Sequence, residues 1–398
     1  MSRLPSRTLR ILGIRGVPAA HGGFETFAEQ LAVYLVQRGW RVIVYCQEDE
    51  AGPVVLDIWQ GVERVRIPVT LGGAKGTMWF DWLSIRDAAR QGDLCLTLGY
   101  NTALFCVWLR LSGVANIINM DGIEWRRSKW GSLAKTWFWI NDWLGSWLGN
   151  HLVADHPEIE AHLATRTHRS RITTIPYGAI PAQHASTEWL HEYGLEPGRY
   201  LTLIARPEPE NSILEAVRGF SCRARGLKLV VLGNYSDQQE YHRAIQDAAS
   251  EEVMFLGAIY DTKKVLALRR HCIAYVHGHQ VGGTNPSLVE SLGAGNAVIA
   301  HDNRFNRWVA ADAARYFKDG FEFDRVLTQV LSDASTLAQM RQASQARFLA
   351  AFSWASVLAE YESLFLRVMG CEPASSTVPT TPEHTGDGLH HDAQVQTQ

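Results

Sequence analysis

Leu9-Arg-Ile-Leu-Gly-Ile-Arg-Gly-Val-Pro-Ala-Ala-His-Gly-Gly-Phe-Glu-Thr26 holds three kinds of local structure in succession. The apolar run Leu9 to Ile14 reads as a short buried strand. Gly13, Gly16, Gly22 and Gly23, with Pro18, then make a loop. From Phe24 to Leu35 apolar residues recur at helical spacing. Strand, glycine-rich loop and helix together open a nucleotide-binding α/β fold, where bare backbone and free N–H groups at a helix start can receive a phosphate. The G-x-G-x-x-G fingerprint of dinucleotide binders is absent. The next strand, Val42 to Tyr45, runs into Cys46-Gln47 where an acid for the ribose would stand, so hydride transfer is disfavoured.

Strand-like runs continue at Val65–Pro68, Leu94–Leu98, Ala115–Asn119, His151–Ala154 and Ile172–Ile175, each separated by helix-like sequence. The alternation predicts a parallel sheet with helices on both faces. Gly and Pro interrupt it at Pro176–Pro181, and a second series starts at Leu201–Ala205, Leu227–Leu232, Val253–Leu256, Cys272–His277 and Ala297–Ala300. A chain of 398 residues is long for one core. Two doubly wound, Rossmann-like domains are therefore expected, over residues 1–176 and 177–352, with ligands in the cleft between them. Residues 353–368 form a last amphipathic helix opened by Ser353. Beyond it, residues 372–398 carry almost no large apolar side chains and are expected to be disordered.

The second series contains its own glycine turn before a helix, His279-Gln-Val-Gly-Gly-Thr-Asn-Pro-Ser-Leu-Val-Glu290. Thr284, Asn285 and Ser287 are capping residues and Pro286 suits a first helical position. The free N–H groups there favour an anion. Glu290, one turn further in, could accept hydrogen bonds from a sugar hydroxyl once the phosphate is seated.

Taken together, Gly22-Gly-Phe-Glu-Thr26, Asn119-Met-Asp-Gly-Ile-Glu-Trp-Arg126, Ile175-Pro-Tyr-Gly-Ala179, Ala205-Arg-Pro-Glu-Pro-Glu-Asn211 and the stretch 277–290 resemble retaining glycosyltransferases of family 4, which have the GT-B fold of two facing domains. The resemblance is greatest to bacterial rhamnosyltransferases of surface polysaccharide assembly and spans about residues 8–368. It implies that Arg206 binds the donor diphosphate together with Gly22, Gly23, Gly283, Thr284, Asn285 and Ser287, that Glu290 holds the ribose, and that the last helix crosses back to the first domain. The resemblance also puts Asp121 beside the reacting carbon, as first choice for the acceptor's base, with Glu25 and Glu124 competing. Two family positions are altered here. A lysine usual after the diphosphate arginine is Asn211, and the first of the paired glutamates is Gly282, which leaves His279 and Gln280 as candidates to orient the sugar ring.

Composition narrows the partners. The net charge of −3 gives no global case for nucleic acid. The six cysteines form no C-x-x-C pair and read as reduced thiols of a cytoplasmic protein. No Asp-x-Asp follows an apolar strand end and no His/Cys/Asp group has ligand spacing, so no metal or other cofactor is expected. Between Trp125 and Trp147, six of the fourteen tryptophans lie beside Arg126, Arg127, Lys129 and Lys135. With Glu124, Trp125 and Trp130, these residues are expected to face the acceptor or an anionic membrane. The alternative is a packed helical pair. The sequence thus predicts an enzyme peripheral to the inner face of the plasma membrane, moving rhamnose from dTDP-rhamnose to a lipid-linked oligosaccharide. A UDP- or GDP-hexose donor is one alternative, and a non-catalytic nucleotide-sugar-binding protein is another.

Overall fold

A computed structural model describes residues 7–371 apart from 21, 128, 129, 183 and 184. Lys129 and the stretch 372–398 lie outside the described residues.

The first sheet contains β1 (Thr8–Leu12), β2 (Arg41–Glu48), β3 (Val55–Trp59), β4 (Val62–Pro68), β5 (Leu94–Leu98), β6 (Asn116–Asn119), β7 (His151–Ala154) and β8 (Ile172–Thr174). Their order is β3-β4-β2-β1-β5-β6-β7-β8. The second contains β9 (Tyr200–Ile204), β10 (Lys228–Leu232), β11 (Val253–Gly257), β12 (Ala274–His277), β13 (Ala297–His301) and β14 (Ala314–Phe317), ordered β11-β10-β9-β12-β13-β14. Both sheets have the doubly wound α/β form anticipated from the alternation of strands and helices.

All pairings are parallel except β3 with β4. That hairpin departs from the purely parallel first sheet expected. Its turn is Gln60-Gly61, with φ of 48° and 82°, the two positive values a tight hairpin of right-twisted strands requires. Leu56 and Ile58 of β3 are mostly exposed, so the edge strand lacks the buried apolar face that announces the others.

In each sheet the order reverses beside the first strand, at β1 between β2 and β5 and at β9 between β10 and β12. Ligands of open α/β sheets bind at the carboxyl ends of the strands at such points. Helix α1 (Gly23–Gln37) covers one face of the first sheet through Phe27, Leu31 and Leu35. The helix Trp354–Val368 packs into the same core with Leu358, Tyr361, Leu364 and Phe365. Within it, buried Glu362 accepts hydrogen bonds from Tyr34 Oη at 3.1 Å and Trp40 Nε1 at 3.0 Å, and pairs with Arg38. The chain passes between the domains near Ala179 and again near Ser353. These crossings touch each other: the Ala179 amide donates to the Phe352 carbonyl at 2.9 Å.

Helices α2 (Gly73–Gln91), α3 (Val107–Leu111) and α4 (Ser132–Leu148) cover the opposite side. Helix α4 reverses the usual polarity of a surface helix. Its inner face is Asn141, Asp142, Gly145 and Ser146, all buried. Buried Asp142 accepts from Trp125 Nε1 at 2.8 Å, lies 2.9 Å from His162 Nε2 and pairs with Arg166 at 3.0 Å. Leu133, Trp139, Ile140 and Trp147 point outward and are 90%, 47%, 41% and 56% exposed.

Candidate active site

A cavity of about 510 Å³ lies between the domains. The first domain contributes Gly23 and Phe24 at the start of α1, Asn119, Asp121 and Gly122 after β6, Asp155 after β7, and Tyr177. The second contributes Arg206 after β9, His279 after β12, and the turn Gly282–Pro286. Both glycine segments therefore meet across one space, because each follows a strand at the reversal point of its sheet.

The helix Pro286–Gly293 begins with the Asn285 side chain accepting the Ser287 amide at 3.0 Å and Pro286 in its first turn. Ser287 turns its hydroxyl away from the cleft, to Tyr275 Oη at 2.5 Å and Arg269 at 3.0 Å. Glu290 is half-buried and paired with Arg269 at 2.5 Å, outside the cavity lining. Arg206 is exposed in the cleft. Asn211, standing where a lysine was expected, donates to the Arg206 carbonyl at 2.8 Å and thereby fixes the loop that presents the guanidinium.

His279 lines the cavity, stacked on His277 at 4.5 Å. Burial pushes its pKa down to about 4, helped by Arg206 and Arg127, so the ring is neutral at pH 7. Gln280 instead donates to the Ser212 hydroxyl at 2.8 Å and is not in the lining.

Asp121 lines the cavity with a φ of 51° and its amide held by Asn119 Oδ1 at 3.0 Å. Asn119 also donates to Tyr361 Oη at 2.8 Å, so the crossing helix helps position the loop. Glu25 stays at the start of α1, where it accepts the Arg15 amide at 3.3 Å outside the lining, and Gly22 precedes that helix as its cap residue.

Of the group expected to face acceptor or membrane, Glu124, Arg126 and Arg127 line the cavity. Arg127 Nη2 pairs with Glu210 of the second domain at 2.6 Å and Nη1 with Glu124 at 3.0 Å. Trp130 Nε1 donates to Glu124 at 2.9 Å, and Arg126 lies over the Trp125 ring at 5.1 Å. Arg304 of the second domain pairs with Glu158 of the first at 2.8 Å on another side of the cleft.

Asp155 was not singled out from the sequence. Its Oδ2 accepts the Thr284 amide from the opposite domain at 2.8 Å, and the Thr284 hydroxyl donates to the Asp155 carbonyl. Burial, with Asp121 nearby, pushes its pKa up to about 7. Its place before His-Pro at the end of a strand suggests no more than a turn. Among the described residues, no group of three His, Cys, Asp or Glu could hold a metal ion.

Two facing Rossmann-like domains with an arginine-bearing cleft between them define the GT-B fold. Residues 201–347 match the family Glycosyl transferases group 1, and residues 6–180 match a domain of unknown function, DUF1972. The second domain is accordingly a group 1 glycosyltransferase domain. No curated protein matches the sequence. Among solved structures, sucrose-phosphate synthase from Thermosynechococcus elongatus superposes with a TM-score of 0.77 at 15% identity, covering 92% of this chain and 99% of its own. Anabaena Alr3699/HepE in complex with UDP gives 0.71 at 11%, covering 91% and 100%. The α,α-trehalose 6-phosphate synthase of Burkholderia multivorans gives 0.70 at 12%, covering 92% and 97%.

Proposed function

We propose that the protein is a retaining, metal-independent transferase that moves a sugar from a nucleoside diphosphate sugar, dTDP-rhamnose, to a hydroxyl of a lipid-linked oligosaccharide in surface polysaccharide synthesis. One observation carries the reading: Arg206 and the glycine turn Gly282–Pro286 face Asp121 and Gly23 at the start of α1 across a single cavity. A planar guanidinium suits a diphosphate. In the reaction, the bond from the anomeric carbon to the phosphate oxygen breaks as the acceptor oxygen bonds that carbon from the same face. Asp121 takes the acceptor's proton, and the departing diphosphate leaves with the electron pair of the broken bond. No covalent nucleophile is required, and the rate comes from orientation and from neutralising the leaving group.

A UDP-hexose donor is the second reading, favoured by the HepE structures with UDP and with UDP-glucose. Thermal stabilisation by dTDP, UDP and GDP separates the two, and stabilisation by none of them refutes both. Hydrolysis of the donor in the absence of acceptor distinguishes an enzyme from a binding protein.

The lipid-linked acceptor brings the enzyme to the anionic inner face of the plasma membrane. Among the described residues, no helix is long and apolar enough to cross a membrane. The outward Leu133, Trp139, Ile140 and Trp147 of α4 support interfacial docking, together with exposed Leu104, Trp108 and Leu111 around α3 and with exposed Arg110. Across α2, α3 and α4 the acids Asp81, Asp87 and Asp142 are all buried or half-buried, which leaves this face cationic. Flotation with anionic vesicles should recover the wild type, and Trp139→Ala/Trp147→Ala should reduce recovery. Equal recovery of both proteins counts against docking through this face.

A further inference from the structure

The second domain offers the donor sugar no carboxylate at positions 282 and 283, which are both glycine. A carboxylate nevertheless occupies the space beside them. Asp155 reaches across the cleft from the end of β7, and one of its oxygens, Oδ2, is anchored on the Thr284 amide at 2.8 Å. The other, Oδ1, is buried with no hydrogen-bond partner and belongs to a residue lining the cavity. A buried acceptor left unpaired is costly, and native structures rarely keep one without a ligand or water to fill it.

Gly283 reinforces the point. A Cβ built on it would lie 2.1 Å from Asp155 Oδ1. Its backbone is not in the left-handed region, unlike Gly282 at φ 129°. The missing side chain at 283 therefore makes room for the Asp155 carboxylate and is not demanded by the turn.

The chemistry of the missing partner follows from the surrounding charge. Asp121 stands close enough to raise the Asp155 pKa, so this wall repels phosphate. Arg206, which also lines the cavity, supplies positive charge for the diphosphate. A neutral O–H donor suits Oδ1, and a nucleotide-sugar has such donors on its sugar ring. We propose that Asp155 binds a hydroxyl of the transferred sugar, supplying from the first domain the carboxylate that Gly282 does not carry. This rests on the transferase reading above. The donor site is then complete only when the two domains are together, and the choice of sugar depends on a residue of the first domain.

The test uses the full chain and calorimetry with two probes, the nucleoside diphosphate that stabilises the wild type and the corresponding nucleotide-sugar. Asp155→Asn, nearly isosteric, should leave affinity for the bare diphosphate within about 2-fold. At pH 8, where the Asp155 carboxyl is largely ionised, it should weaken the nucleotide-sugar about 10- to 100-fold, the range for hydrogen bonds to a charged group. Gly283→Ala should give the same selective loss by displacing the carboxylate. A donor analogue lacking the contacted hydroxyl should bind wild type and Asp155→Asn equally. If Asp155 merely ties the domains together, both probes weaken in parallel and the proposal fails. It also fails if neither probe weakens. Wild-type protein that binds neither probe would refute the transferase reading itself.

Discussion

Glu362→Ala tests whether the crossing helix is a structural member of the first domain. Glu362 is 5% exposed, and its side chain accepts from Trp40 Nε1, itself on a buried residue, and from half-buried Tyr34. Truncation strands both donors. A buried donor without an acceptor costs about 1–3 kcal/mol, with the full range applying to Trp40 and the lower end to Tyr34, which can regain water. The Arg38 guanidinium is 55% exposed and its loss adds little. About 3 kcal/mol is expected in all, a large part of the ~5–15 kcal/mol that holds a typical native protein together. Urea denaturation should show the first domain unfolding at a clearly lower midpoint, with the transition of the second unchanged. Glu362→Gln, which keeps an acceptor, should lose less than half as much. A Glu362→Ala variant within about 0.5 kcal/mol of wild type, the scatter of ordinary surface substitutions, would refute the argument and leave the helix a passenger on the surface.

Arg206→Ala should remove most donor affinity and turnover from a protein that still folds, and wild-type affinity for nucleotide-sugar would overturn the diphosphate assignment. Glu290→Gln should raise the donor KM, since a neutral amide is a weaker acceptor for paired hydroxyls; an unchanged KM argues against ribose binding there. Activity should persist in excess chelator, and an absolute need for Mn²⁺ or Mg²⁺ would refute metal independence. Burial pushes the Asp81 carboxyl up to about 7 despite the Thr102 hydroxyl donating to it at 2.8 Å. A raised folded-state value means that stability is fully present below the unfolded value near 3.8 and is lost as pH rises through about 7. Between pH 5 and 8 the wild type should therefore lose on the order of 2 kcal/mol relative to Asp81→Asn, and parallel urea curves would refute this.

The sheets were legible because buried parallel strands read as continuous apolar runs, and the Asn285 start because a cap and a following proline are local signals. Strand β3 was missed because its side chains face water on an edge. Asp155 was missed for a different reason. Nothing within a few residues of it specifies that a carboxylate will cross to Thr284, since that contact depends on how two separately folded sheets meet. The same limitation affected Arg127, whose charge reads as available for a membrane yet is engaged by Glu210 of the other domain. For α4 the sequence supplied the aromatic residues. Which of them point outward was decided by Asp142, which draws Trp125, His162 and Arg166 around it beneath the helix.

The contact between the two crossings has a consequence for how such enzymes diversify. The second domain leaves the first near Ala179 and rejoins it at Ser353, and these points form a β-bridge. Its ends are thus adjacent, so the intervening segment behaves as an insert with one narrow point of attachment. A cassette from another chain whose ends lie equally close could be spliced there without stretching either junction, while the helix Trp354–Val368 still completes the first domain. On the proposed division of labour, with the nucleotide read by the second domain and the acceptor by the first, recombination at this one place would exchange the former preference and retain the latter, giving a practical route to chimaeric transferases.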